Sequence, residues 1–94
     1  MTNINIVDPR LRWFVDVMRS KMSELRNQQK DDWRNQNAQD IFGRIQDEVL
    51  ELQASMFSRE APEACIKECA DVANCAMMLA DWIAVNHGGY NALH

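Results

Sequence analysis

Two pairs of acidic residues in the chain stand three positions apart: Glu48 with Glu51, and Glu68 with Asp71. On an α-helix, positions i and i+3 share a face, with Cβ atoms ~5–6 Å apart. The pairs are also in register with each other. Glu48 and Asp71 are equidistant from a turn expected at 58–61, and so are Glu51 and Glu68. In an antiparallel hairpin Glu48 lies level with Asp71 and Glu51 level with Glu68, so four carboxylates meet along one seam. Their flanks are apolar. Glu68 and Asp71 interrupt a stripe with Ala64, Cys75, Met78 and Trp82, while Glu48 and Glu51 border the stripe of Ile41 and Leu52. Two like charges ~5 Å apart at an effective dielectric of ~20 repel by about 3 kcal/mol, and several such pairs exceed the stability margin of a small domain. Either some acids are protonated or a cation sits among them, and hard oxygen ligands suit Mg²⁺ or Mn²⁺. A carboxylate-bridged di-iron centre would need Glu-x-x-His motifs. Both motifs here lack His, and His87 and His94 fall beyond the bundle.

The elements that must hold these acids follow from the apolar spacing. Asp8-Pro9 is a helix start, and Leu11, Val15, Met18, Met22 and Leu25 then recur at helical intervals, predicting a first helix over 9–27. The polar stretch 27–37 reads as a loop or a frayed helix end. Ile41, Ile45, Val49, Leu52 and Met56 predict a second helix over 38–57. After a tight connection near Pro62, a third runs over 60–86 and is stopped by Gly88-Gly89. The third helix is apolar nearly all round, with only Lys67, Asn74 and Asp81 as a thin polar wedge. Such a helix is buried on nearly all sides, which three helices of this size cannot achieve. The expectation is therefore all-α: helical hairpins forming a four-helix-bundle-like core completed by oligomerisation, most simply as a two-fold dimer.

Composition narrows the classes. Ninety-four residues allow one domain, 1–94, with 1–8 and 88–94 as loose ends. Three glycines and two prolines leave little for hairpin turns, so an all-β fold is disfavoured. No apolar run approaches the ~20 residues of a membrane helix, and the first ten residues do not read as a secretory signal. A net charge of −4 disfavours nucleic-acid binding. The charge is uneven: residues 1–44 carry eight basic and six acidic side chains, whereas 45–94 carry two and eight. Cys65, Cys69 and Cys75 form no CxxC pair and have no nearby His, so they read as small apolar filler in a reduced, cytoplasmic protein.

The segments IQDEVLELQASM (45–56) and KECADVANCAMMLAD (67–81) resemble the all-α nucleoside triphosphate pyrophosphohydrolases, the MazG-like and dimeric dUTPase/dCTPase superfamily. The signature of that family is EExxE, a spacer, then ExxD. The chain has Asp47-Glu48-x-x-Glu51, sixteen intervening residues, then Glu68-x-x-Asp71, with Asn74 extending the match to ExxDxxN. Asp47, where the family usually has Glu, is a departure. The resemblance covers about residues 30–82. It implies a homodimer or homotetramer that hydrolyses a nucleoside triphosphate to the monophosphate and pyrophosphate with Mg²⁺. Carried over by position, Glu48, Glu51, Glu68 and Asp71 are the implied metal ligands, and Glu48 is the candidate base for the attacking water. The chemistry is coherent, because an anionic triphosphate enters an acidic site only with divalent cations, which also acidify a bound water.

Supporting residues carry two readings each. Trp33, beside Lys30 and Arg34, can stack on a base while the cations meet phosphates, or it can anchor the loop on the bundle. Asn74 can contact sugar or phosphate, or be a helix-surface residue without a role. Lys67 and Arg44 can bind substrate or balance the acids. Trp82 can wall a base pocket or pack in the core. The rival to an enzyme is a non-enzymatic dimerisation or adaptor module on the same bundle.

Overall fold

The computed structural model describes residues 8–28 and 33–88, with the side chains of 8–24 and 33–88; Lys30 lies outside the described residues. Among these residues all regular structure is helical. Helix α1 is Pro9–Gln28, α2 is Ala38–Phe57 and α3 is Pro62–Asn86, with a short 3₁₀ turn at Trp33–Asn35 between α1 and α2. The predicted bounds hold for α2 and are within two residues for α1 and α3. No helix among the described residues is long and apolar enough to cross a membrane.

Each end has a local cause. The Asp8 carboxylate accepts from the Arg10 amide at 2.9 Å, and the Asp8 carbonyl accepts from the Leu11 and Arg12 amides. Asn37 caps α2 by accepting from the Asp40 amide at 2.8 Å. Pro62 opens α3, where its missing amide hydrogen costs nothing. The α2–α3 connection closes with the Arg59 amide donating to the Met56 carbonyl and the Glu60 amide to the Ser55 carbonyl. This is the Schellman arrangement, and it needs a left-handed residue at its centre. That residue is Arg59, with φ of 54°.

Helix α3 is the axis of the fold and packs against α2, α1 and the 3₁₀ turn. Among the described residues the buried apolar ones are few: Ile41, Ala70, Cys75 and Met78. Beside them Ser55, Asn74 and Asp81 are also buried. The polar wedge of α3 is thus an inward-facing stripe at Asn74 and Asp81, while Lys67 is exposed. Asn74 donates to the Met18 carbonyl at 2.9 Å and ties α3 to α1. Asp81 receives the Trp33 indole N–H at 2.9 Å and both Nε and Nη2 of Arg34 at 2.8 and 2.9 Å. Next to it, the Trp82 indole donates to the Gln36 carbonyl at 2.6 Å. The segment 33–36 is therefore pinned to two consecutive residues of α3.

Arg59 is the conformational weak point of this frame. A left-handed non-glycine residue costs roughly 1–2 kcal/mol, partly offset by the extra freedom glycine has when unfolded. Arg59→Gly is expected to stabilise the chain by about 0.5–1 kcal/mol in urea denaturation; a loss of stability would show that the Arg59 side chain holds the turn.

Candidate metal centre

The hairpin brings three of the four acids together. Carboxylate oxygens of Glu48 from α2 and of Glu68 and Asp71 from α3 all lie within 4.8 Å of one another. All three residues are half-buried. One oxygen of Glu48 and one of Glu68, Oε2 in each case, are fully shielded and have no hydrogen-bond partner. Shielded carboxylate oxygens without donors are costly. Glu51 is exposed and stands outside the trio, but its carboxyl is within hydrogen-bonding reach of Glu48 and its charge is felt by Glu68 and Asp71.

The electrostatics record this crowding. Burial, then the charges of Glu51 and Asp71, push Glu48 from 4.5 up to about 7. Glu68 is raised by burial and then by Asp71 and Glu51. Asp71 is raised mainly by burial, against the pull of Lys21. Cys75 borders the same cluster, and burial lifts its thiol to about 11. It stays a neutral thiol at physiological pH, so the donor set is hard oxygen alone. An octahedral ion with metal–oxygen distances of about 2.1 Å spaces its ligand oxygens roughly 3–4 Å apart. A small side-chain closure of the trio meets that requirement, so the residues present fit Mg²⁺ or Mn²⁺.

One cation reaches the cluster from α1. The Lys21 ammonium lies 3.0 Å from Glu24 and 3.6 Å from Asp71. Sequence reasoning passed over Lys21. The available signal was its position beside Met18 and Met22, where a lone lysine borders the apolar stripe of α1. Arg44 is half-buried and near enough to Cys75 for its charge to oppose the rise in the thiol pKa. Trp33 is half-buried with its indole N–H committed to Asp81, and Asn74 is buried against α1. The anchoring role of Trp33 is thus realised in the fold.

Comparison with protein families, with characterised proteins and with solved structures finds no match to this chain. The chemistry of the site therefore rests on its own residues.

The crowding sets the pH response of the metal-free fold. Glu48 binds its proton more tightly folded than unfolded, so stability falls as pH rises from about 4.5 to 7. Glu68 and Asp71 act in the same direction. In chelator, thermal melts should give a higher midpoint at pH 5 than at pH 7.5. Glu48→Gln should raise the midpoint at pH 7.5 by ~5 °C and flatten the slope; a wild-type profile already flat across this range would contradict the shared strain.

Proposed function

We propose that the chain is a Mg²⁺-dependent nucleoside triphosphate pyrophosphohydrolase that converts a (d)NTP to the monophosphate and pyrophosphate, with Mn²⁺ as an alternative ion. The observation that carries this reading is the pair of shielded, partnerless oxygens of Glu48 and Glu68, which converge with Asp71 from two helices. Such oxygens call for a proton or a cation, and a cation among acids is what an anionic triphosphate needs. The ExxE and ExxD spacing, which resembles the MazG-like superfamily, supports the same assignment.

Glu48, Glu68 and Asp71 would hold the ion, with Glu51 beside them. When bound, a divalent ion supplies charge neutralisation for the phosphates and acidification of a water. Glu48 is the candidate to take the proton of that water at its carboxylate. One of its carboxylate oxygens is shielded from solvent, and burial together with the neighbouring acids raises its affinity for a proton. The Asp81 contacts fix Trp33 and Arg34 at the entrance to α2. From there the Trp33 indole face can meet a base, with Lys30, Arg44 and Lys67 as candidates for phosphate contact, whereas Asn74 is buried with its amide donated to the Met18 carbonyl. The setting proposed is cytoplasmic, acting on free nucleotides.

A second copy of the chain completes the bundle in this reading. Phe42, Val49 and Met56 recur at seven-residue intervals on α2, flanked by Leu50 and Phe57, and all five are exposed. An apolar stripe at heptad spacing is a helix-packing surface. The same stripe is the observation that favours the rival reading, an adaptor without turnover.

Two measurements separate these outcomes. Pyrophosphate release from a panel of nucleoside triphosphates with Mg²⁺ should be present in the wild type and fall at least ~100-fold in Glu48→Gln and Asp71→Asn, with helical circular dichroism retained. A folded wild type silent on every triphosphate would leave the adaptor. In light scattering the wild type should run as a multiple of 10.9 kDa, and Leu50→Glu should shift it toward the single chain; a monomeric wild type would remove the second copy.

A further inference from the structure

The acid cluster has a cation of its own, and its placement assigns it a task. Lys21 leaves α1 between Met18 and Met22 and brings its ammonium against Glu24 on its own helix and Asp71 on α3, close enough for its charge to act on Glu68 as well. It is 23% exposed, so it is neither sealed in nor free in solvent. Its firm contact is with Glu24 at 3.0 Å, whereas its 3.6 Å separation from Asp71 is beyond ordinary hydrogen-bond length. Glu24 is 59% exposed and stands on the solvent side of the pair. The ammonium thus sits between a surface carboxylate and a candidate metal ligand, on a flexible four-carbon stem that can swing.

We propose that Lys21 is the internal counter-ion of the metal-free cluster and the phosphate-binding residue of the loaded site, an inference that rests on the metal-dependent reading above. Without an ion, the ammonium offsets the repulsion around Asp71. A divalent ion entering among Glu48, Glu68 and Asp71 displaces that contact, because two cations cannot share one carboxylate cluster at ~5 Å without repelling each other. The ammonium, with one of its three N–H donors still held by Glu24, then has two to present to an incoming phosphate. Lys21 therefore opposes the ion and attracts the phosphate, and these two effects have opposite signs.

Titration calorimetry with two probes reads them separately. For Mn²⁺ alone, Lys21→Met should bind about five- to tenfold more tightly than the wild type. For inorganic tripolyphosphate in saturating Mn²⁺, the same variant should bind about tenfold more weakly. Lys21→Arg should follow the wild type with both probes, and Lys21→Gln repeats the test if methionine disturbs the fold, as read by circular dichroism. Unchanged constants for both probes, or weakening of both together, would overturn the assignment of Lys21 while leaving the metal centre standing. A wild type that binds no Mn²⁺ would instead bring down the metal-dependent reading, and this inference with it.

Discussion

Like-charge repulsion, confined to the seam between α2 and α3, is the constraint around which the molecule is arranged. The hairpin has no freedom to relieve it. The Schellman turn at Arg59 fixes the stagger of the two helices, and that stagger puts Glu48 against Glu68 and Asp71. A sliding motion that separated the acids would also break the packing of Ile41, Ala70, Cys75 and Met78, which is most of the buried apolar material. Hydrophobic burial thus holds an unfavourable arrangement in place, and α1 supplies a partial remedy through Lys21.

The remainder of the fold is polar where a small bundle is usually greasy. Asn74 and Asp81, one and three turns beyond the acid pair on α3, are buried and fully engaged, the first on α1 and the second on the 3₁₀ turn. Asp81 is held below its usual pKa chiefly by Arg34, helped by the Trp33 indole. Its carboxylate contributes stability that is present above its ordinary pKa near 3.8 and fades as pH falls through the lowered value. The two carboxylate systems of α3 therefore respond oppositely to acid: the Glu48 cluster relaxes as protons bind, and the Asp81 anchor loosens. Specific polar contacts of this kind define a single register for three helices that share a thin apolar core.

Helix positions and the acid register were legible because both follow from spacing alone. A period of 3.6 placed α2, and equal distances from the turn placed Glu48 opposite Asp71. The wedge of Lys67, Asn74 and Asp81 was less legible. Three polar residues on an apolar helix look like its exposed side, yet Asn74 and Asp81 point inward because partners distant in sequence, Met18 and the 33–34 dipeptide, meet them there. Such pairings span 56 and 48 residues, and local periodicity carries no information about them. Glu51 shows the converse limit. Helical spacing put it on the same face as Glu48, but its carboxylate stands at the solvent edge of the group. The filler reading of the cysteines holds for buried Cys75, whereas Cys69 is exposed.

The clasp between the 3₁₀ turn and α3 has an optical consequence. Two of the three indoles, Trp33 and Trp82, are spent on that single junction, each with its N–H donated to an oxygen atom. Trp13 sits half in water on α1, its ring 6.0 Å from that of Phe14. Two of the three indole fluorophores thus sit at one junction, so the emission of Trp33 and Trp82 is sensitive to whether the 33–36 segment stays docked on α3, without any added dye.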